Sequence, residues 1–281
     1  MDILIIGGSR FVGPFLVKLL VEKKHNVTLF NRGLIQSDYD QVLFIKGDRN
    51  GGFQIDQKFQ VVIDMCAYDG MQTKTALTQL DFDFFIHFGT AAAYRKSNFI
   101  LTEESPLGDW PLWGEYNRGK VECENVLAAG NINFASIRPV YILGPKNYSD
   151  REHFIYNKIR SSEPLILPGD GNATVQFVFA NDVANCMALL AEKRAKGCFN
   201  CVGDEKITLR NLVNGMGKIV GKKPILKFNP DNDGENFDRS EFPFANENFI
   251  CSNAKFKSFG VNFTPLFKGL KEDYENYYSK L

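Results

Sequence analysis

A tyrosine and a lysine, two residues that can move protons, stand four positions apart in the segment Tyr116-Asn-Arg-Gly-Lys120. On a helix, this spacing places both side chains on one face. The ammonium group would favour the phenolate and lower the pKa of Tyr116 from its ordinary value of ~10. Such a tyrosine could exchange a proton with a substrate hydroxyl or carbonyl near neutral pH. By itself the spacing is more typical of an exposed helix face. The position of the pair in the fold therefore decides whether the two residues are catalytic.

A third side chain, Thr90, follows the apolar run Phe84–Phe88. A buried strand over this run would deliver Thr90 to the carboxyl edge of a parallel sheet, where ligands of such sheets bind. There the hydroxyl could donate to the same substrate oxygen as Tyr116. Without Tyr116 and Lys120, a turn-capping role would be the better interpretation of Thr90.

A glycine-rich turn predicts a dinucleotide site. The apolar segment Asp2–Ile6 is followed by Gly7-Gly-Ser-Arg-Phe-Val-Gly13 and then by an amphipathic helix. Glycines at a strand-to-helix turn let backbone N–H groups approach a pyrophosphate, and Gly13 would allow the helix to pack closely on the sheet. The strand–helix–strand context favours this interpretation over a turn without a ligand.

The end of the second predicted strand indicates which dinucleotide binds. The strand ends in Asn31-Arg32, where NAD enzymes usually carry an acidic residue for the ribose 2′-hydroxyl. Arg10 also projects from the glycine turn, and two guanidinium groups near one ribose favour a 2′-phosphate. The sequence therefore predicts NADP(H), with NAD(H) as the other possibility. The alternative for Arg32 is a solvated turn position.

Short apolar strands alternate with helices in the first half of the chain, which predicts an α/β fold with a doubly wound parallel sheet. The predicted strands are Asp2–Ile6, Asn26–Asn31, Val42–Ile45, Val61–Asp64, Phe84–Phe88 and Phe134–Ile137. The predicted helices are Phe11–Lys23, Met71–Leu80 and Tyr116–Ala129.

The pattern loosens beyond about residue 145, where Pro, Gly, Asn and Asp become frequent. The predicted helices there are Arg151–Arg160, Asp182–Lys193, Leu209–Val220 and Pro265–Tyr278, and the predicted strands are Pro164–Leu167, Gln176–Phe179, Cys198–Val202 and Ile225–Phe228. Residues 229–248 are polar and acidic and predict a surface loop. We expect 1–145, with a returning segment around 174–203, to form the dinucleotide-binding domain. The remainder of 146–281 is expected to form a smaller α+β substrate region.

The composition is typical of a globular protein that acts on a small molecule. The chain has 281 residues, and 33 Lys and Arg balance 33 Asp and Glu. Zero net charge disfavours a nucleic-acid partner. No segment approaches the ~20 apolar residues of a membrane span, and the N-terminal segment is typical of a buried strand rather than a signal peptide. We therefore expect a cytoplasmic protein. Six dispersed cysteines favour free thiols, and Cys198-Phe-Asn-Cys201 lacks the further ligands of a metal site.

Together these motifs resemble the short-chain dehydrogenase/reductase superfamily, and within it the NAD-dependent epimerase/dehydratase family with its extended and atypical members. The resemblance rests on the glycine turn, Thr90, the Tyr116–Lys120 pair and the segment Arg138–Pro145, and it covers nearly the whole chain. The Gly-Gly-Ser-Arg-Phe-Val-Gly turn is similar to that of an atypical subgroup. This subgroup includes bacterial proteins described as epimerases and plastid RNA-binding members.

The resemblance implies a Rossmann domain and a catalytic triad of Thr90, Tyr116 and Lys120. Tyr116 would be the acid/base, Lys120 would hold the nicotinamide ribose, and Asp48 would contact adenine. With the glycine turn and the second strand, the expected cofactor-binding residues are Gly7, Ser9, Arg10, Phe11, Val12, Gly13, Asn31, Arg32, Asp48, Arg49, Ala67, Tyr68, Tyr116, Lys120, Pro139 and Ile142. The expected substrate residues are Thr90, Tyr141 and Arg151.

Departures from the family pattern narrow the reaction. Residues 91–93 are alanines where sugar 4,6-dehydratases carry an Asp-Glu pair, which excludes that type of dehydration. Val175 stands where nucleotide-sugar epimerases have an arginine for the substrate diphosphate, and Tyr141 stands where some have asparagine. Arg151 and Arg160 could supply a substitute cation.

We therefore expect an NAD(P)-dependent epimerase or reductase that acts on a small polar substrate, with a nucleotide sugar as one candidate. The alternatives are a non-catalytic or RNA-associated protein on the same scaffold, and an NADP(H) sensor without turnover. The family often dimerises through crossover helices, and the predicted helix Tyr116–Ala129 is compatible with a homodimer.

Overall fold

The computed structural model describes residues 1–35 and 40–281. Its strands are β1 (Asp2–Ile6), β2 (Asn26–Asn31), β3 (Leu43–Lys46), β4 (Lys58–Asp64), β5 (Asp81–Phe88), β6 (Phe134–Pro139), β7 (Tyr141–Leu143), β8 (Pro164–Pro168), β9 (Thr174–Phe179), β10 (Gly197–Cys201), β11 (Lys206–Thr208) and β12 (Ile225–Asn229). Its α-helices are α1 (Val12–Glu22), α2 (Gly70–Gln79), α3 (Gly114–Ala129), α4 (Arg151–Arg160), α5 (Ala180–Lys193), α6 (Leu209–Val220), α7 (Ala254–Ser258) and α8 (Leu266–Asn276).

The main sheet has seven strands in the order β10-β6-β5-β4-β1-β2-β3, and every neighbouring pair is parallel. Alternate residues of β1 bury opposite faces: Ile3 and Ile5 pack in the large core, and Leu4 and Ile6 pack in a second one. Both faces of the strand are therefore apolar. The predicted doubly wound Rossmann-type sheet is confirmed.

The predicted helices and strands are found at or near their predicted bounds. Helices α4 and α6 begin and end as predicted, and most other elements differ by one to three residues. The short elements β7, β11 and α7 were not predicted, because segments of three to five residues carry too little periodicity. All six cysteines carry free thiols, as predicted. Among the described residues, no helix is both long enough and apolar enough to cross a membrane.

Two smaller sheets accompany the main one. Strands β11, β9 and β7 form a three-stranded sheet, and β12 pairs with β8. The segment 229–248, predicted as a polar surface loop, buries Phe242 and Phe244 almost completely. The two phenylalanines anchor this segment in the core, while polar residues such as Asp238 and Arg239 are exposed as predicted.

Candidate active site

A groove of about 460 Å³ lies along the glycine turn at the carboxyl ends of β1, β2 and β4. Gly7 and Gly8 adopt left-handed backbone angles, with φ of 91° and 77°. A Cβ atom on Gly13 would lie 2.2 Å from the carbonyl oxygen of Gly8, so α1 begins directly on the turn. This volume is within the range of small-ligand sites. The turn exposes backbone N–H groups at a helix N-terminus, and the residues present therefore fit a bound dinucleotide.

Most of the predicted cofactor-binding residues lie in this groove. Those that line it are Gly7, Ser9, Arg10, Phe11, Val12, Asn31, Arg32, Asp48, Arg49, Tyr68 and Ile142. Gly13 is buried under the turn, and Ala67 and Pro139 are also buried. Cys66, Gln72 and Tyr148 line the groove as well and were not predicted. They are brought there by the ends of β4, by α2 and by the loop before α4, and no local motif marks them.

Arg49 serves the fold as well as the groove. Its guanidinium forms a two-pronged ion pair with the fully buried Asp64, at 2.7 and 3.0 Å, and also donates to the carbonyl of Gln72. Arg49 therefore ties β4 to α2 and is not free to swing towards a ligand. Asp48 accepts a hydrogen bond from the backbone N–H of Asn50, which holds its exposed carboxylate at the groove wall.

Tyr116 and Thr90 approach one another at the end of β5. Thr90 is buried and caps a short turn by accepting from the Ala92 N–H at 3.1 Å. Its hydroxyl lies close enough to Tyr116 to act on the pKa of the phenol. Burial nevertheless raises the pKa of Tyr116 above its ordinary value, and Thr90 offsets only part of that effect. The predicted lowering by Lys120 is wrong in this state of the protein, since desolvation of the phenolate dominates.

Lys120 is buried and donates to two backbone carbonyls, to Ala67 at 2.7 Å and to Phe88 at 2.9 Å. Its nitrogen lies 5.9 Å from the ring centre of Tyr116 and 5.5 Å from that of Tyr68. Burial lowers the pKa of Lys120. Two carbonyl acceptors hold the ammonium between the ends of β4 and β5, at the floor of the space between Tyr68 and Tyr116.

Gly119 makes this arrangement possible and was not predicted. A Cβ atom at this position would lie 2.0 Å from the carbonyl oxygen of Tyr68. Helix α3 therefore lies directly against the chain that follows β4, and the adjacent Lys120 reaches Ala67. A glycine inside a helix costs ~1 kcal/mol relative to alanine. The glycine at position 119, between Tyr116 and Lys120, was therefore the sequence signal that α3 lies close to the chain after β4.

The substrate side of Tyr116 is aromatic and basic. The Arg151 guanidinium lies 5.2 Å from the ring centre of Tyr141 and 5.8 Å from that of Phe244. Trp113 packs edge-on against Tyr141, and Arg239 lies 5.8 Å from the Trp113 ring. Tyr141 and Arg151 were predicted, whereas Trp113 and Arg239 were not. Arg160 hydrogen-bonds the carbonyl of Tyr278 at the end of the chain, so it serves the fold there.

The parallel sheet, the groove along its glycine turn and the Tyr116–Lys120 pair define a dinucleotide-binding protein of the short-chain dehydrogenase/reductase type. The model of the NAD-dependent epimerase/dehydratase family matches residues 62–201. The Arabidopsis thaliana protein named chloroplast stem-loop binding protein of 41 kDa b is 31% identical, over 91% of this chain and 73% of its own length. The chain belongs to the NAD-dependent epimerase/dehydratase family.

Several solved structures have the same fold, and each aligns with this chain over almost the whole length of both proteins. UDP-glucuronic acid 4-epimerase from Bacillus cereus, in complex with NAD, is 19% identical with a TM-score of 0.80, over 100% of this chain and 99% of that one. UDP-N-acetylglucosamine 4-epimerase from Methanobrevibacter ruminantium is 14% identical with a TM-score of 0.81, again over 100% and 99%. At these identities the likeness establishes the fold.

The predicted preference for NADP(H) is wrong. Several solved structures of this fold, UDP-glucuronic acid 4-epimerase from Bacillus cereus among them, hold NAD. The Asn31 side chain is occupied within the turn, where it accepts from the Gly33 N–H at 2.8 Å and donates to the Gly7 carbonyl at 3.4 Å. Arg10 and Arg32 are exposed at the rim of the groove, where water screens their charges.

Proposed function

We propose that this protein is an NAD-dependent epimerase that acts on a nucleotide sugar. The observation that carries the proposal is the position of the Tyr116 hydroxyl beside Thr90, with Lys120 anchored next to Tyr68, which lines a groove that fits a dinucleotide. NAD, when bound there, supplies a reversible acceptor for a hydride. Residues 1–145 with the segment returning around 174–203 would hold the cofactor, and the remaining residues would hold the substrate.

The chain's own residues divide the work at the substrate oxygen. Tyr116 takes the hydroxyl proton as the substrate carbon is oxidised and returns it on reduction, which is general acid–base catalysis. Thr90 donates to the same oxygen and fixes its distance from Tyr116. Lys120, held by two carbonyls, favours the phenolate that Tyr116 passes through.

A nucleotide sugar is supported by the names of several structural neighbours and by the basic, aromatic wall beyond Tyr116. One neighbour is described with UDP-glucose and NAD, and another with UDP-glucuronic acid and NAD. Arg151 and Arg239 supply positive charge on that side of this chain, where Val175 replaces the arginine typical of the family. An epimerase is favoured over a reductase by the names of structural neighbours such as UDP-glucuronic acid 4-epimerase and UDP-N-acetylglucosamine 4-epimerase.

The test is direct incubation of the purified protein with NAD⁺ and, separately, UDP-glucose, UDP-glucuronic acid and UDP-N-acetylglucosamine. The products are resolved by proton NMR of the sugar. We expect one of the three to be converted to its 4-epimer and the reverse reaction to reach the same ratio. If all three remain unchanged while NAD⁺ binds, the proposal of a nucleotide-sugar epimerase fails.

Binding of RNA is the second candidate function. It is supported by the name of the Arabidopsis thaliana relative, which shares 31% of its residues over nearly the whole of this chain. The zero net charge disfavours it. Retention of the protein on a stem-loop RNA, measured from 50 to 200 mM salt, separates the two candidates. A steep loss of retention with salt would support RNA binding, whereas no retention at the lower salt would exclude it.

A further inference from the structure

Two arginines and a tryptophan, whose hydrogen-bonding groups are poorly satisfied by the protein, lie around one aromatic wall beyond Tyr116. The Arg151 guanidinium packs over Tyr141 and Phe244, and its only polar contact among the described residues is 3.4 Å from the Ile142 carbonyl. Arg239 packs over Trp113, which itself contacts Tyr141. The indole N–H of Trp113 is buried and finds no acceptor in the described part of the chain.

The charges in this cluster are unbalanced. Among the side chains that the structure describes, which do not include that of Glu235, neither Arg151 nor Arg239 forms an ion pair with a carboxylate. The nearest candidate, Glu152, is buried and accepts hydrogen bonds from the Gly144 N–H and from Asn147 instead. Burial lowers the pKa of Arg151, and Tyr141 and Glu152 offset only part of that effect. Arg151 is half-buried, whereas Arg239 is exposed. A cation that is partly removed from water is normally paired in folded proteins, so the Arg151 guanidinium lacks an anion.

We propose that Arg151, Arg239 and the indole N–H of Trp113 form an oxyanion subsite that holds a phosphate or carboxylate group of the substrate beside Tyr116. The inference rests on the proposed function and narrows it to substrates with an acidic group close to the reacting carbon. Planar guanidinium groups suit both oxyanions, because two parallel N–H groups match two oxygens. Both arginines also lower the pKa of Tyr116, which places their charge within reach of the reacting oxygen.

The proposed subsite would replace the arginine that contacts the substrate diphosphate in nucleotide-sugar epimerases, which this chain lacks. Val175 is fully buried in β9 and contributes no charge. Arg151 stands at the first position of α4, and Arg239 stands on the segment 229–248 that Phe242 and Phe244 anchor. The two cations therefore come from parts of the chain far apart in sequence and meet on one wall.

The test measures binding by calorimetry to the NAD-loaded, full-length protein. The probes are UDP, UDP-glucose, UDP-glucuronic acid and inorganic pyrophosphate. The variants are Arg151→Gln, Arg239→Gln and Trp113→Phe, the last of which keeps the ring and removes the N–H. Arg210→Gln is the matched control, because Arg210 also stacks on an aromatic ring, Phe228, at 4.7 Å but lies on α6. Unchanged NAD⁺ affinity in each variant shows that it folds.

Each arginine variant should weaken binding by about 10- to 100-fold, the usual effect of one charge-assisted hydrogen bond, and Trp113→Phe by about 2- to 10-fold. Arg210→Gln should bind as the parent does. A loss shared by UDP and pyrophosphate identifies the anion as a diphosphate. A loss confined to UDP-glucuronic acid identifies it as a sugar carboxylate.

Two results would overturn the subsite: affinities of all four probes that are unchanged in the three variants, or an equal loss in the Arg210 control. The subsite would also be overturned if the parent protein bound none of the four probes. These outcomes are separable from failure of the proposed function. If the probes bind and lose affinity in the arginine variants, but no sugar is converted, the subsite is supported and the proposed epimerase activity fails. If a sugar is converted at the same rate in both arginine variants as in the parent, the epimerase activity is supported and the subsite fails.

Discussion

Replacing Gly119 by alanine tests how closely α3 must approach the end of β4. The added Cβ would lie 2.0 Å from the Tyr68 carbonyl oxygen, whereas ordinary contacts begin near 3.4 Å. The obstacle is backbone and cannot rotate away, so α3 must move by roughly 1.4 Å. Lys120 is the next residue and would lose its hydrogen bond of 2.7 Å to Ala67.

The expected cost follows from opposing contributions. Overpacking costs ~1–3 kcal/mol, and loss of a hydrogen bond from a charged group costs ~1.5–3 kcal/mol. Alanine recovers ~1 kcal/mol of helix propensity. We therefore expect Gly119→Ala to lower the free energy of unfolding by about 1.5–5 kcal/mol. A displacement of ~1 Å at a reacting group also costs about 100-fold in rate.

Urea denaturation gives the change in stability, and turnover of the best nucleotide sugar gives the change in rate. Asn125→Ala is the matched control, because Asn125 is exposed on the same helix and its replacement changes propensity alone. That control should be as stable as the parent or slightly more so. A Gly119→Ala protein with parental stability and turnover would refute the argument that close approach of α3 positions Lys120.

Three further predictions concern the fold and the groove. Arg49→Met strands the buried carboxylate of Asp64 and should cost about 3–5 kcal/mol in urea denaturation, and a loss below ~1 kcal/mol would contradict the ion-pair argument. Burial, with repulsion from Glu152, raises the pKa of Asp273 to about 7, so its contribution to stability is present at low pH and is lost as the pH rises through 7. Asp273→Asn should therefore be more stable than the parent by about 1–2 kcal/mol at pH 8, after solvent screening, with the gap closing towards pH 4; a gap that is constant across this range would show that the carboxyl group is not responsible. Because Asn31 is engaged within the turn, a fluorescence titration should show tighter binding of NAD⁺ than of NADP⁺, and the opposite order would refute the cofactor assignment.

The sheet could be predicted from the sequence because its strands are buried on both faces. Continuous apolar runs such as Asp2–Ile6 and the glycine turn after it are local signals, and they mark the nucleotide side of the site. The proximity of Thr90, Tyr116 and Lys120 was also predictable, since strand ends and helical spacing place these side chains together, and their catalytic role stays a proposal.

The substrate side was less predictable because it is assembled from distant segments. Arg239 lies in a stretch that is polar in composition, and only the burial of Phe242 and Phe244 fixes it beside α4. The pKa of Tyr116 depends on desolvation, which no spacing rule contains. The predicted homodimer stays a prediction.

The most direct test of the central claim compares the parent protein with Tyr116→Phe in two assays, NAD⁺ titration and NMR of a nucleotide sugar converted by the parent. The account predicts equal NAD⁺ affinity and a rate of epimerisation lower by about 100- to 10,000-fold, because the proton carrier at the substrate oxygen is gone while the groove is intact. Epimerisation by Tyr116→Phe at the parental rate would contradict it.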